Sequence, residues 1–161
     1  MRHAKAEPFA PTDHGRVLTE RGRADAADAG RRLGESGVVP DYAVVSSAER
    51  TKMTWAEVAR ACGSTAKTVL DKGVYAGGPE VVLEALRVVP AEARTVIFIG
   101  HNPTSAYLCH LLDDGEGAPE AISGMLRGFP TSALVVFEVT VPWSELGPET
   151  GRVVDFYAPS R

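Results

Sequence analysis

The stretch RTVIFIGHNPT, residues 94–104, decides the fold. Its apolar run, TVIFI, is typical of a strand that is covered on both faces of a parallel sheet. A glycine turn follows, and residues 103–112 predict a helix directly after that turn. His101 stands on the turn, where free backbone N–H groups and the helix dipole favour an anion. The stretch therefore predicts a strand and a helix with a ligand-binding imidazole between them.

The segments around this stretch alternate between strand and helix patterns. Two more apolar runs, YAVV and AKTVLD, predict strands, and each is followed by a segment with apolar residues at helical spacing. A further helix pattern begins at Thr19. Near the end of the chain, SALVVFEVTV and GRVVDFYAP predict two closing strands, as a hairpin or a neighbouring pair. Residues 113–129, which are rich in glycine and acidic side chains, are predicted to form an irregular surface connection.

This alternation predicts an α/β protein with three layers, α/β/α, around a mainly parallel central sheet. The length of 161 residues fits a single domain over residues 1–161. In such sheets the ligand binds at the carboxyl ends of the strands. The residues that directly follow the predicted strands are therefore the first candidates for a functional site.

Arginines and histidines follow the predicted strands at that edge. Arg50 opens the helix after YAVV, and His101 follows TVIFI. Arg2 and His3 join them if a strand lies before them, and Arg16 lies in the nearby segment DHGRVLTERG. We expect these imidazoles and guanidinium groups to converge on one pocket.

Phosphoryl transfer is the chemistry that suits such a pocket. Guanidinium forks bind phosphate oxygens in pairs and stay charged at any working pH, while a neutral imidazole can attack phosphorus. Neighbouring arginines lower the pKa of a histidine and so keep it neutral. Because the cations of this pocket are side chains, the sequence predicts no metal and no other cofactor.

Composition excludes several classes of protein. With 17 Lys and Arg against 21 Asp and Glu, the formal net charge is −4, which excludes a broad basic face for nucleic acid. The sequence has neither a run of about 18 apolar residues nor a signal peptide, so we expect no membrane partner and a cytoplasmic location. Cys62 and Cys109 lack metal-site spacing and are predicted to be reduced core residues.

Five segments in order resemble the histidine phosphatase superfamily, which has the phosphoglycerate mutase-like fold, and within it the SixA-type phosphohistidine phosphatases. They run over nearly the whole chain: MRHAKAE, RVLTERG, SSAERTKMTW, GHNPT and FPTSALVVFE. The resemblance implies that His3 is the phosphorylated nucleophile and that His101 is its phosphate-binding partner. It also implies that the phosphate ligands are Arg2, Arg50 and Arg16. Asn102 and Asp13 complete the predicted substrate-binding set.

The general acid is not clearly supplied by the sequence. Broader phosphatases of the resembled fold carry a carboxylate after the third strand, where this chain has DKGVYAGGPE with Tyr75 and several glycines. Asp13 and Glu80 are the nearest candidates, and Asp13 is preferred because it lies in the loop that carries Arg16. An imidazole leaving group needs less proton donation than an alkoxide, so this region favours phosphohistidine over a phosphate ester.

We therefore predict a phosphatase that works through a phosphohistidine intermediate and takes its phosphoryl group from a phosphohistidine on another protein. The small size of the chain favours a protein substrate, because long insertions that would enclose a metabolite are absent. One alternative is a phosphomonoesterase that acts on a small phosphate ester. A second is a catalytically silent module that binds phosphate or a protein.

The start of the sequence raises one more expectation. In the resembled fold the nucleophilic histidine ends the first, central strand, so about five apolar residues should precede Arg2. Only Met1 stands there, and a missing central strand would leave unpaired backbone groups within the sheet. We therefore expect the first strand to be truncated, with residues upstream of Met1 that complete it. If the chain starts at Met1, the sheet must close in another way.

Overall fold

The computed structural model describes residues 1–160 and confirms the α/β fold class. Strands and helices alternate along most of the chain. The strands are β1 (Tyr42–Ser46), β2 (Lys67–Asp71), β3 (Val96–Ile99), β4 (Leu134–Val139) and β5 (Gly151–Tyr157). The α-helices are α1 (Glu20–Glu35), α2 (Glu49–Cys62), α3 (Gly73–Ala76), α4 (Pro79–Arg87), α5 (Thr104–Leu112) and α6 (Pro119–Leu126). A 3-10 turn spans Trp143–Glu145.

A parallel sheet with the strand order β2-β1-β3 forms the centre of the molecule. Tyr42 at the start of β1 pairs with Lys67 of β2 on one side and with Val96 of β3 on the other. The closing strands β4 and β5 form an antiparallel pair, as the sequence predicts. Because β1, β2 and β3 run in the same direction, the loops that follow them meet at one edge of the sheet.

Helices cover both faces of this sheet. The side chains of β1 alternate in direction, so Ala43 and Val45 pack in a core cluster with Leu33 of α1 and Val58 of α2. Val44 points to the opposite face and joins the core cluster that includes residues of α4 and α5. This arrangement is the α/β/α layering that the alternation of elements predicts.

Small residues let α1 pack closely on α2. Thr19 caps the helix, because its side-chain oxygen accepts a hydrogen bond of 2.9 Å from the backbone N–H of Gly22. Gly30 faces α2, and a Cβ atom at this position would lie only 2.6 Å from the carbonyl oxygen of Val58. Ala26 is fully buried on the same helix. A larger side chain at Gly30 would therefore push α1 away from the core.

The prediction of an irregular connection over residues 113–129 is wrong in its second half, because α6 begins at Pro119. Ala121 and Met125 lie one helical turn apart and are both buried. Gly124 lets the helix approach the ring of Phe156 in β5. The glycines and acidic residues of this segment obscured the short apolar face that holds α6 against β5.

The helices carry both cysteines in buried positions. Cys62 and Cys109 are both buried, which confirms that they are core residues. No helix within residues 1–160 combines the length and the apolar character that crossing a membrane requires.

The first three residues lie between the ends of two strands. Arg2 forms a parallel bridge with Gly100, which directly follows β3. The N–H of His3 donates to the carbonyl of Gly100 at 2.9 Å. The N–H of Gly100 donates to the carbonyl of Met1 at 3.1 Å. On the other side, the N–H of Arg2 donates to the carbonyl of Ala133 at 2.9 Å. Backbone hydrogen bonds on both sides therefore fix His3 at the carboxyl edge of the parallel sheet.

An apolar cleft with a volume of about 540 Å³ opens beside Met1, between β3 and β4. Its walls include Ile97 and Phe98 from β3 and Val135 and Phe137 from β4. Within residues 1–160, each of these two strands pairs along its length with one neighbour only, β1 for β3 and β5 for β4. The expectation that an apolar strand precedes Arg2 stays a prediction.

Candidate active site

Two histidines meet at the carboxyl edge of the parallel sheet. Since Arg2 and Gly100 are bridged, the residues that follow them, His3 and His101, stand side by side. Their ring centroids are 5.2 Å apart. The structure thus brings together one imidazole from the start of the chain and one from the turn after β3.

A hydrogen bond to the backbone sets the tautomer of His3. Its Nδ1 lies 2.8 Å from the carbonyl oxygen of Ala4. Because a carbonyl oxygen only accepts, Nδ1 carries the proton and Nε2 keeps its lone pair. The N–H of Ala4 in turn donates to Oγ1 of Thr54 at 3.0 Å, which ties this segment to α2. His3 is therefore held as a neutral imidazole with a free lone pair on Nε2, and its role as nucleophile stays a prediction.

Both histidines have strongly lowered pKa values. Burial, with the positive charges of Arg50 and Arg2 as smaller causes, lowers the pKa of His3 to about 4. Burial, followed by the charge of Arg50, lowers the pKa of His101 to about 3. The neighbouring arginines act in the direction that the sequence argument gave, but burial has the larger effect. Both rings are consequently neutral near pH 7, as a histidine nucleophile must be.

Ser46 and Arg50 fix the ring of His101. Nε2 of His101 lies 2.7 Å from Oγ of Ser46, and Nδ1 lies 3.3 Å from Nη2 of Arg50. A guanidinium group only donates, so Nδ1 is the acceptor and Nε2 donates to Ser46. With both nitrogens engaged, His101 holds Arg50 in place, and its direct contact with phosphate stays a prediction. Sequence reasoning missed Ser46, although its position as the last residue of β1 was a usable signal.

Two arginines each keep a buried donor that is not used. Arg50 is 5% exposed, and Nη1 of Arg2 donates to the carbonyl of Phe129 at 3.0 Å. In the part of the chain that the structure describes, the buried Nε atoms of both arginines have no hydrogen-bond partner. A buried donor that stays unpaired costs about 1–3 kcal/mol, so two of them beside His3 indicate a site for an anion.

The loop that carries Asp13 supplies the other side of the site. The Asp13 carboxylate accepts hydrogen bonds from Nε of Arg16 at 2.9 Å, from Nη2 of Arg50 at 3.1 Å and from the hydroxyl of Tyr75 at 2.7 Å. Its backbone carbonyl accepts a further bond of 2.7 Å from Nη1 of Arg50. Asp13 therefore contacts Arg16, Arg50 and Tyr75 at the same time.

These contacts argue against Asp13 as the general acid. The Tyr75 hydroxyl first, and then the guanidinium groups of Arg16 and Arg50, hold the pKa of Asp13 well below its usual range. An ionised carboxylate has no proton to donate. The other candidate, Glu80, lies exposed in the first turn of α4. The arrangement therefore suits a leaving group that needs little help from a protein acid.

Asn102 lies next to the site but binds the protein backbone. Its Nδ2 donates to the carbonyl of Phe129 at 2.9 Å, the same oxygen that accepts from Arg2. Asn102 and Arg2 are therefore held to one another through Phe129. The binding of substrate by Asn102 stays a prediction.

Aromatic rings continue from the histidines to the rim of the site. The Tyr75 ring lies 5.5 Å from that of His101, and the His14 ring lies 4.8 Å from that of Tyr75, both edge to face. His14 is exposed, and its Nε2 lies 2.9 Å from Oγ of Ser47. In the sequence, Tyr75 was notable only because it stands where a carboxylate was expected. Its position in the sequence gives no sign of the contact with Asp13.

The charges of the site balance those of a phosphoryl group. Arg2, Arg16 and Arg50 carry three positive charges and Asp13 carries one negative charge, which leaves two positive charges when both imidazoles are neutral. Among residues 1–160, no three His, Cys, Asp or Glu side chains are grouped so that they could hold a metal ion. The site residues are thus suited to bind a dianion through guanidinium groups.

Two curated relatives match nearly the whole chain, although no protein-family model matches it. An uncharacterised protein of Mycobacterium tuberculosis is 31% identical over 161 residues, which cover 99% of each chain. An uncharacterised protein of Mycobacterium leprae is 27% identical over 164 residues, again with 99% of each chain covered.

Several solved structures are similar to this chain, and their names include a chemical activity. A candidate phosphohistidine phosphatase SixA from Nakamurella multipartitia is 30% identical, with a TM-score of 0.87 over 100% of this chain and 94% of that chain. A second candidate SixA, from Agrobacterium tumefaciens, is 29% identical, with a TM-score of 0.80 over 99% of this chain and 95% of that chain. A protein histidine phosphatase SixA solved with tungstate shares the fold at 24% identity and a TM-score of 0.74, over 98% and 92% of the two chains.

Proposed function

The chain belongs to the SixA-type branch of the histidine phosphatase superfamily, and we propose that it removes the phosphoryl group from a phosphohistidine on another protein. The similar structures support a phosphatase, and two of them, at 30% and 29% identity, bear the name phosphohistidine phosphatase. The choice of a phosphohistidine substrate and the roles of individual residues are the proposed part.

One observation carries the proposal. A neutral imidazole, His3, stands beside buried guanidinium donors of Arg2 and Arg50 that have no partner within residues 1–160. This combination is what an attacking nitrogen and an anionic phosphoryl group require. A module that only binds phosphate would need the guanidinium groups but not the fixed tautomer of His3.

In the first step of the proposed reaction, the Nε2 lone pair of His3 attacks phosphorus. A bond forms between Nε2 and phosphorus while the bond from phosphorus to the substrate imidazole breaks. The leaving nitrogen keeps the electron pair and takes a proton from water. The carbonyl of Ala4, 2.8 Å from Nδ1, stabilises the positive charge that develops on the His3 ring. Arg2 and Arg50 stabilise the charge on the phosphoryl oxygens.

In the second step, water attacks the phosphorus atom of phosphorylated His3. The oxygen of the water bonds to phosphorus, the bond to Nε2 breaks with its electron pair returning to the ring, and the protons of the water stay on the phosphate product. Inorganic phosphate then leaves the site. Both steps use the same guanidinium groups, so one arrangement of donors stabilises both transition states.

The substrate preference rests on the supply of protons. Asp13 is ionised and Glu80 is exposed, so neither offers a buried acid beside His3. A phosphohistidine tolerates this because its leaving imidazole is a better leaving group than an alkoxide. The proposal therefore expects fast turnover of phosphohistidine and slow turnover of sugar phosphates.

Turnover of a phosphohistidine peptide, p-nitrophenyl phosphate and a sugar phosphate by the same preparation tests this proposal. The peptide should have the highest kcat/KM, and the His3→Ala variant should lose activity on all three substrates. His110→Ala is the matched control, because His110 is exposed on α5 and should leave turnover unchanged. Equal or better turnover of the sugar phosphate would indicate a phosphomonoesterase. Binding of phosphate without any turnover would indicate a silent module.

A further inference from the structure

We infer that Asp13 competes with the phosphoryl group for the arginines of the site, so that its carboxylate weakens phosphate binding and hastens the release of the product. This inference rests on the proposed function, since it takes the anion to bind between His3 and the guanidinium groups. It gives Asp13 a role that neither a general acid nor a phosphate ligand would have.

Arg16 carries the first part of the argument. Its Nε and Nη2 lie 2.9 and 2.8 Å from Oδ1 of Asp13, and its Nη1 donates to the carbonyl of Glu7 at 3.2 Å. All three guanidinium nitrogens of Arg16 thus have protein partners. A phosphoryl oxygen can receive the Nε and Nη2 pair of Arg16 only if the Asp13 carboxylate gives it up.

Arg50 is shared between Asp13 and the expected anion. Nη1 and Nη2 of Arg50 bind the carbonyl and the carboxylate of Asp13, while the buried Nε has no partner in the described part of the chain. Arg2 differs, because its partner is the neutral carbonyl of Phe129 and no carboxylate within residues 1–160 forms an ion pair with it. Asp13 therefore opposes phosphate at two of the three arginines.

Asp13 is placed so that it can move aside. Its side chain is 55% exposed, whereas that of Arg50 is 6% exposed. Water can therefore solvate the displaced carboxylate, and the exposed ion pair with Arg16 costs little to break. Because Arg50 is buried and also bonded to His101, the carboxylate is the partner that shifts when an anion arrives.

Tyr75 moderates this competition. Its hydroxyl donates to Oδ2 of Asp13 at 2.7 Å, the same oxygen that accepts from Arg50 at 3.1 Å. The hydroxyl draws negative charge away from the contact with Arg50. Removing the hydroxyl should therefore strengthen the hold of Asp13 on Arg50, whereas removing the charge of Asp13 should free both arginines.

Two variants separate competition from simple positioning, because Asp13→Asn removes the charge of the carboxylate and Tyr75→Phe removes the hydroxyl that donates to it. Calorimetric titration with inorganic phosphate, and with vanadate as a second probe, should show that Asp13→Asn binds phosphate about 3- to 10-fold more tightly than the wild type. Tyr75→Phe should bind it about twofold more weakly. If Asp13 only positioned the arginines, both variants would bind phosphate more weakly.

The control is an exposed pair of the same spacing. Asp28 and Arg31 form an i,i+3 ion pair on α1, as Asp13 and Arg16 do in their loop, so Asp28→Asn should leave phosphate affinity unchanged. Thermal unfolding of each variant checks the fold, and Asp13→Ala serves as a second variant that should also tighten binding.

The experiment distinguishes a failure of the inference about Asp13 from a failure of the proposed function. A wild-type protein that binds neither phosphate nor vanadate would overturn both proposals. Wild-type binding together with weaker binding by Asp13→Asn and Asp13→Ala would overturn only the competition by Asp13.

Discussion

The two sides of the site are held by different kinds of interaction. His3 and His101 are fixed by backbone pairing and by the buried hydroxyl of Ser46. The opposite side, Asp13 and Arg16, lies in a loop and is held by an exposed ion pair. Buried contacts of this kind hold geometry within narrow limits, whereas exposed ion pairs exchange at little cost. On the proposed function, we expect the sheet side to carry the chemistry and the main phosphate contacts, and the loop side to adjust how tightly phosphate is held.

Replacing one arginine on each side of the site should give the largest difference in kcat/KM between the two sides. Arg50→Lys removes the buried Nε and the fork that binds Asp13 and His101, so we expect kcat/KM to fall about 10³-fold. Arg16→Lys should lower it by about tenfold or less, because Arg16 is partly exposed and already bound to Asp13. Steady-state kinetics with a phosphohistidine peptide measures both. Equal losses would remove the distinction between the two sides.

Two neighbouring serines test the comparison with an effect on kcat of intermediate size. Ser46→Ala removes the acceptor that orients His101, so we expect kcat to fall about tenfold with little change in KM. Ser47→Ala is the matched control, because the hydroxyl of Ser47 binds the exposed His14 at the rim and Ala keeps the backbone bond of Ser47 to Asp71. Full kinetic curves for both variants provide the measurement. A KM effect from Ser46→Ala without a kcat effect would contradict the positioning of His101.

The pH dependence of stability tests whether the two rings on the sheet side are held neutral by burial. The pKa values of His3 and His101 are lowered from 6.5 to about 4 and about 3 in the folded protein. As the pH falls below about 6.5, the unfolded chain binds these protons first, so the free energy of unfolding falls until the pH reaches the folded pKa values. Thermal unfolding between about pH 6.5 and 4.5 should show Tm dropping by on the order of ten degrees.

His3→Gln provides the variant for this measurement. It should flatten the fall of Tm with pH, while His110→Gln, which changes an exposed histidine, should keep the slope of the wild type. A wild-type Tm that stays constant over this range would mean that the two buried rings are not held neutral.

The sequence predicted the parts of the site that depend on topology. His101 and Arg50 follow parallel strands, and the rule that such strands end at one edge predicts that they lie together. The individual side-chain contacts of the site were not predicted. No periodicity indicates that Tyr75 reaches Asp13 or that Ser46 binds His101, because these contacts join residues far apart in the chain.

Segment 113–129 shows a second limit. Glycine and acidic residues are typical of loops, and they concealed a helix that is held by Ala121 and Met125 against β5. Eight residues carry too few apolar positions for a clear helical period, so tertiary packing decides their structure.

The most direct test of the account is the site of phosphorylation during turnover. Rapid quenching into alkali after mixing with a phosphohistidine peptide, followed by mass spectrometry and ³¹P NMR, locates the phosphoryl group. The account predicts an acid-labile phosphoryl group on Nε2 of His3, because Nδ1 is engaged with the Ala4 carbonyl. A phosphoryl group on another residue, or turnover that persists in His3→Ala, would contradict it.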